Sequence, residues 1–214
     1  FAVVTAAQSV VCVYQDTLAG SKRLRSRTRA RDGAWGSAVT IKTALVTAQD
    51  YRVGACVLPD DSILCCFWVV DTAVDEANVT IYRSTDAGAS WALYADNCLK
   101  TGISTDSTVG SGAAGYELRR LRMAYHGGQL CLVADVVSRN TDLTYRDTYK
   151  QFASDDLGAS FSLVETGASN VLFVAPSVLA DSAGFLVLYV GFGSSANQRR
   201  LVRIGDAFTP LSSV

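Results

Sequence analysis

The sequence predicts an all-β protein, a β-propeller of about four four-stranded blades. Three observations carry this prediction: a composition that favours strands, an eight-residue turn motif that occurs twice, and a four-strand pattern that recurs along the chain. Four-stranded units that repeat every 40 to 50 residues or so are typical of propeller blades, because neighbouring blades bury each other's faces. A tandem β-sandwich is the competing architecture, but it does not explain why the same turn precedes the last strand of successive units.

The composition excludes several classes of protein. Of the 214 residues, 49% are apolar and 18% are charged, against a charged share of about 25% in typical domains. This balance excludes a disordered tail and a highly charged helical rod. Only 4 of the 19 basic residues are Lys and only 3 of the 20 acidic residues are Glu. Charged residues that favour helices are therefore scarce, and strands are expected.

Charge and hydropathy limit the partners. The net charge is −1 and the pI is about 5.8, so no overall field attracts nucleic acid, and no nucleic-acid partner is expected. The apolar run Ile63–Val70 is far shorter than the ~20 residues that a membrane-spanning helix needs, so no membrane span is expected. The chain opens at Phe1 without a recognisable leader, which suggests a piece of a longer protein or a processed product.

Arginines recur at every second position of one predicted strand. Alternate side chains of a strand point to the same face, so these arginines share one face, which is either a solvated surface or a site for an anionic ligand. The residues are Arg23, Arg25, Arg27, Arg29 and Arg31.

The six cysteines contain no CxxC pair, and the chain has a single His. This spacing does not suit a metal site, so neither a metal nor another cofactor is expected. Buried free thiols are the simplest interpretation. One or two disulfides remain an alternative if the protein occupies an oxidising compartment.

The turn motif occurs at Ser84–Trp91 and again at Ser154–Phe161, and both copies obey Ser-x-Asp-x-Gly-x-Ser-aromatic. In such a turn, Asp and Ser side chains bond nearby amides, Gly supplies a positive φ, and the aromatic residue enters the core. The predicted structural residues of the turns are Ser84, Asp86, Gly88, Trp91, Ser154, Asp156, Gly158 and Phe161.

Two weaker copies of the turn, Asp32–Trp35 and Asp206–Phe208, extend the pattern to four units. We therefore expect a single propeller domain over residues 1–214. Its approximate blades are 1–45, 46–100, 116–168 and 172–214, with a Gly/Ser/Thr-rich loop at 101–115.

The repeated turn resembles the Asp-box, or BNR repeat, of sialidase-like β-propellers. That group includes sialidases, other glycosidases and non-catalytic carbohydrate or protein binders. The resemblance implies a propeller fold, and it implies that the boxes are structural turns at the blade periphery. A fold by itself does not assign an activity.

A second segment, Tyr51–Gly54, is similar to the Phe/Tyr-Arg-Ile-Pro motif of sialidases, with Gly54 in place of the Pro. This resemblance implies that Arg52 binds a substrate carboxylate, that Asp75 is the acid/base, and that Glu117, next to a Tyr, belongs to the nucleophile pair.

A sialidase site uses three arginines and draws on six blades. Arg122 and Arg203 are the positions available for the other two arginines, although no motif supports them. A chain of about four units is therefore expected to be a non-catalytic or partial member of the group.

The sequence thus favours a non-catalytic sialidase-like propeller that contacts a glycan or a protein receptor. It would belong to a larger extracellular or virion assembly, such as a phage tail or fibre, and have other subunits as partners. A sialidase-type glycoside hydrolase, or its N-terminal fragment, is the first alternative, and a purely structural protein–protein module is the second. Recognition is expected in the long polar loops Asp71–Asn78, Ser138–Asp147 and Gly193–Gln198.

Overall fold

The computed structural model describes residues 1–45, 53–71, 76–96, 98, 115–139, 145–166, 172–181, 184–192, 197–204 and 210–213. They form sixteen β-strands in four antiparallel sheets of four strands each. These described ranges contain no helix, and hence none long and apolar enough to cross a membrane. The predicted all-β fold of four-stranded units is confirmed.

The strands follow one another along the chain. The first sheet contains β1 (Ala2–Val4), β2 (Val10–Leu18), β3 (Ser21–Arg29) and β4 (Val39–Leu45). The second contains β5 (Val53–Val57), β6 (Ile63–Asp71), β7 (Glu76–Ser84) and β8 (Ala92–Ala95). The third contains β9 (Gly115–His126), β10 (Gln129–Arg139), β11 (Tyr145–Ser154) and β12 (Ser162–Thr166). The fourth contains β13 (Leu172–Asp181), β14 (Gly184–Phe192), β15 (Asn197–Ile204) and β16 (Pro210–Ser213).

Every sheet has the same simple topology. Each strand pairs with the next strand along the chain, and the first strands of successive sheets, β1, β5, β9 and β13, contact one another. The first strand of each sheet therefore lies at the centre of the propeller and the fourth at its periphery. The register of the last strand pair shifts in each sheet, for example between Ile81 and Tyr82. Such bulges bend and twist a strand.

Successive sheets pack face to face through apolar side chains. Cys65 and Cys66 are adjacent on β6 and point to opposite faces of the second sheet. Cys65 packs with Val13 and Leu24 of the first sheet, whereas Cys66 packs with Leu121 of the third. All six cysteines are free thiols and five are buried, so the interpretation as buried thiols is largely confirmed.

One boundary differs from the prediction. β9 begins at Gly115, the last residue of the expected Gly/Ser/Thr-rich loop. The extension of β9 pairs through its backbone with the end of β10, which needs no apolar pattern in the sequence. The assignment of the whole chain to one domain, with the blade limits given above, stays a prediction.

Candidate functional site

The repeated turn folds in the same way in both copies. In the second sheet, Ser84 Oγ donates to Asp86 Oδ1 and accepts from the Gly88 amide, both at 2.8 Å. The Asp86 carboxylate accepts from the amide and the hydroxyl of Ser90, at 2.8 and 2.5 Å. The same four bonds in the third sheet measure 2.6 to 2.9 Å. Gly88 and Gly158 have φ values of +85° and +96°, as the turn requires.

These bonds hold both Asp carboxyls in the charged form. Hydrogen bonds from Ser90 and Ser84 lower the pKa of Asp86. Partial burial raises the pKa of Asp156, but the bonds from Ser160 and Ser154 outweigh that effect and lower it to about 2. A carboxyl with so low a pKa is unsuited to general acid catalysis at neutral pH. The two Asp residues therefore stabilise the turns.

Each turn also packs on the sheet that precedes it. Thr28 Oγ1 donates to the carbonyl of Ala87 at 2.8 Å, and the Trp91 indole donates to Ser26 Oγ at 2.9 Å. In the third sheet, Phe161 is buried in the apolar cluster shared with the second sheet. The motif thus joins neighbouring sheets. The sequence predicted the turn, but it did not predict that the hydroxyls of Ser26 and Thr28 would form hydrogen bonds with it.

The two ends of a sheet can be told apart by the position of the repeated turn. β7 ends at Ser84, which pairs with Ile63 at the start of β6. Ile63 also pairs with Val57, the last residue of the innermost strand β5. The turn motif therefore lies at the end of the sheet where β5 finishes. At the opposite end, Asp71 pairs with Glu76. The innermost strand β5 starts at that end, with Val53. We call it the starting end of the sheet.

Of the three residues predicted to be catalytic, Glu117 is the one within the described part of the chain. It lies on β9, near the start of that strand, and therefore towards the starting end of the third sheet. Arg52 and Asp75 lie outside the described residues. The catalytic roles of all three remain predictions.

One contact links sheets that are not neighbours. The Arg122 guanidinium, on β9, lies over the Phe1 ring, 5.4 Å from its centroid, an arrangement that favours a cation–π attraction. Arg122 Nη1 also donates to the Leu121 carbonyl at 2.7 Å. The backbone nitrogen of Phe1 donates to the Val13 carbonyl at 2.8 Å. The innermost strands of the first and third sheets therefore face a common centre.

Gly54 lies where β5 runs close to both β6 and β9. A Cβ atom at Gly54 would lie 2.9 Å from Cys66 Sγ, which is shorter than a normal contact, and 3.4 Å from Arg122 Cα, which is an ordinary contact. Cys66, paired with Gly54 on β6, would therefore have to shift to admit a side chain there. The sequence showed Gly54 only as a departure from the sialidase motif. We call Phe1, Gly54 and Arg122 the axial cluster; Arg122 is half-buried and Phe1 is 42% exposed.

The remaining predicted positions are more distant or lie outside the described residues. Arg203 lies on β15 of the fourth sheet, opposite Leu186. The central parts of the predicted recognition loops, 72–75, 140–144 and 193–196, lie outside the described residues.

Comparisons with known proteins bear on the fold. No protein-family model and no curated protein matches the chain. A protein of unknown function from Dyadobacter fermentans DSM 18053 superposes on 97% of this chain and 65% of its own, with a TM-score of 0.65 and 18% identity. The α-L-arabinanase of Penicillium chrysogenum, complexed with arabinobiose, covers 94% of this chain and 60% of its own, with a TM-score of 0.62 and 12% identity.

An α-L-arabinofuranosidase from Fusarium graminearum, in complex with an iminosugar inhibitor, covers 100% of this chain and 64% of its own, with a TM-score of 0.65 and 11% identity. The chain therefore has the β-propeller fold found in these glycoside hydrolases. It spans about 60 to 65% of the length of the three structures. The predicted β-propeller fold is therefore confirmed. The narrower resemblance to sialidases is not confirmed, because these two enzymes are an arabinanase and an arabinofuranosidase.

Proposed function

We propose that this protein is a non-catalytic glycan-binding propeller whose site lies around the axial cluster. The observation that carries the proposal is the Arg122 guanidinium held over the Phe1 ring where innermost strands converge. A guanidinium offers paired donors to a carboxylate or to sugar hydroxyls, and an aromatic ring offers an apolar face to a sugar. Fold relatives solved with arabinobiose and with an iminosugar support a carbohydrate ligand.

The non-catalytic assignment rests on the carboxylates. Glycoside hydrolysis commonly requires two carboxyl groups at a defined separation across a cleft. The chain has 3 Glu and 17 Asp. The repeated turns fix Asp86 and Asp156 as charged acceptors within the turn, and no sequence motif selects a catalytic pair among the other carboxyl groups.

A glycan array tests the proposal. The labelled chain is applied to an array that includes arabinan oligosaccharides and sialylated glycans, beside Arg122→Gln and the control Arg83→Gln. Arg83 also lies over an aromatic ring, Tyr94, at 5.8 Å, but on the second sheet. We expect hits that Arg122→Gln loses and Arg83→Gln keeps. An array without hits, together with a co-purifying protein, would instead support the purely structural protein–protein module.

A glycoside hydrolase is the second candidate, favoured by the fold shared with an α-L-arabinanase and an α-L-arabinofuranosidase. In that function, Arg52 would bind the substrate, with Asp75 as the acid/base and Glu117 as part of the nucleophile pair. Release of 4-methylumbelliferone from α-L-arabinofuranoside and sialic acid conjugates tests it. If the wild-type chain turns over either substrate and Arg52→Ala does not, the protein is a glycoside hydrolase and the non-catalytic proposal is wrong.

The wider setting is also a proposal. A propeller built from modular blades suits a subunit that presents loops to a receptor, and we place it in an extracellular or virion assembly such as a phage tail or fibre. Mass spectrometry of purified virions tests this placement. Absence of the chain from virions, combined with its secretion as a free protein, would contradict the virion setting.

A further inference from the structure

The outer face of the first sheet carries a second candidate site. We propose that Trp35 and the arginine row of β3 bind an anionic polysaccharide whose sugars carry carboxylates. The inference rests on the proposed function only for its ligand class, carbohydrate, and it concerns residues that are not part of the axial cluster.

The row is periodic. Arg23, Arg25, Arg27 and Arg29 alternate with Leu24, Ser26 and Thr28 along β3. The intervening residues face the second sheet, where Ser26 and Thr28 receive the turn. The arginines therefore point away from the second sheet, and successive ones lie about 7 Å apart along the strand. Such a row matches a polymer with repeated negative charges.

One half of the row is already paired. Asp16 receives Arg23 through two bonds, Nε to Oδ1 at 2.9 Å and Nη2 to Oδ2 at 2.8 Å. Arg25 Nη1 reaches the same carboxylate at 3.0 Å. These guanidiniums lower the pKa of Asp16, so the three groups remain charged and hold one another.

The other half of the row is fixed but lacks a counter-ion. Arg27 Nε donates to the Gly36 carbonyl at 3.1 Å, and Arg29 Nε donates to the Gly33 carbonyl at 2.9 Å. Both side chains are exposed, and within the described ranges neither is paired with a carboxylate. Holding a guanidinium in place before a ligand arrives reduces the entropy lost on binding.

An exposed aromatic ring stands beside these cations. Trp35 forms an isolated antiparallel bridge with Arg29, so the two side chains share a face. Trp35 is 42% exposed, whereas Phe161, at the corresponding turn of the third sheet, is 8% exposed because the second sheet covers it. An exposed indole next to arginines offers a stacking face for a sugar ring and charge for its carboxylate.

Charge complementarity favours an anionic glycan over the other occupants. The interfaces between successive sheets are apolar, whereas the β3 row brings four guanidiniums to this face and the described ion pairs there use one carboxylate, that of Asp16. A second copy of this chain could not dock through the same face without bringing like charges together. A neutral sugar would leave the unpaired guanidiniums of Arg27 and Arg29 without a counter-ion.

Fluorescence anisotropy with a labelled oligogalacturonate tests the site at 20 and 300 mM NaCl. The methyl-esterified oligomer is the matched neutral ligand, and Lys42→Gln, which removes an exposed cation from the same sheet, is the matched variant. We expect Arg27→Gln and Arg29→Gln each to weaken binding roughly three- to tenfold, and Trp35→Ala to weaken it by about tenfold. Lys42→Gln should retain the wild-type affinity, and salt should weaken binding.

Several results would overturn the inference. Equal affinity for the methyl-esterified oligomer would show that the ligand's charge does not contribute to binding. Equal losses of affinity in Arg27→Gln and Lys42→Gln would show that the arginine row is not the binding site. Single-stranded DNA that binds as tightly, without loss in Trp35→Ala, would make the face a general polyanion surface. Dimerisation through this face in sedimentation would assign it to a second copy. The axial site is tested by array hits lost in Arg122→Gln, so the two proposals fail independently.

Discussion

The Trp91 indole donates a hydrogen bond to the Ser26 hydroxyl, 65 residues earlier in the chain, at 2.9 Å. Ser26 is buried, and its hydroxyl also donates to the Gly88 carbonyl at 3.3 Å. One side chain of the first sheet thus satisfies two groups of the turn that belongs to the second. The repeated motif therefore closes its own hairpin and also fastens adjacent blades.

Removing this hydroxyl is expected to destabilise the protein. Ser26→Ala leaves the Trp91 N–H and the Gly88 carbonyl without that partner, which should lower the free energy of unfolding by about 1–3 kcal/mol. Trp91→Phe keeps an aromatic ring but removes the donor and part of the packed indole, so a loss of similar size is expected. Urea denaturation of both single variants and the double variant measures the coupling. Strictly additive effects would show that the two side chains do not interact.

Alanine variants at two glycines should distinguish the cost of backbone strain from the cost of a steric clash between sheets. Gly158 has φ +96°, and a Cβ there would lie 2.9 Å from Ile81 Cδ1, across the interface; Gly128 has φ +90° with nothing within 4 Å. Gly128→Ala should cost about 1 kcal/mol from the positive φ alone. Gly158→Ala should cost at least about 1 kcal/mol more, because overpacking is added. Equal losses in chemical denaturation would mean that the turn does not press on the second sheet.

The turn carboxylates predict a loss of stability in acid. The folded state holds the pKa of Asp86 and Asp156 below the ordinary value of 3.8, that of Asp156 at about 2. The unfolded chain therefore binds more protons, and the contribution to stability is present above about pH 4 and is lost as the pH falls towards 2. Urea midpoints between pH 7 and 2.5 measure the trend, which should be weaker in Asp156→Asn. Asp32→Asn, which removes an exposed carboxyl of the weaker copy Asp32–Trp35, serves as the control.

The thiols should differ sharply in reactivity. Burial raises the pKa of Cys66 and of Cys98 to about 12, and it raises those of Cys56 and Cys131 as well. Cys12 is only half-buried. Because the thiolate is the reactive form, a disulfide reagent at pH 8 should label one thiol quickly in the native state and all six after denaturation. The fast phase should vanish in Cys12→Ser; several fast thiols in the native state would contradict the packing.

The sequence predicted whatever is encoded locally. Ser84–Trp91 specifies its own hydrogen bonds, and the alternation of Arg with Leu24, Ser26 and Thr28 specifies the two faces of β3. Contacts between sheets were not predictable, because no local pattern links Ser26 to Trp91 or Phe1 to Arg122. Gly54 illustrates the limit, since the space beside it is set by how closely Cys66 Sγ of β6 approaches.

The most direct test of the glycan-binding function is a calorimetric titration of the wild-type chain, Arg122→Gln and Arg83→Gln with 3′-sialyllactose and with arabinotriose. The axial-cluster model predicts that at least one of these sugars binds the wild type, that Arg122→Gln weakens this binding by roughly tenfold or more, and that Arg83→Gln leaves it unchanged. Failure of both sugars to bind the wild type, or equal affinity in Arg122→Gln, would contradict it.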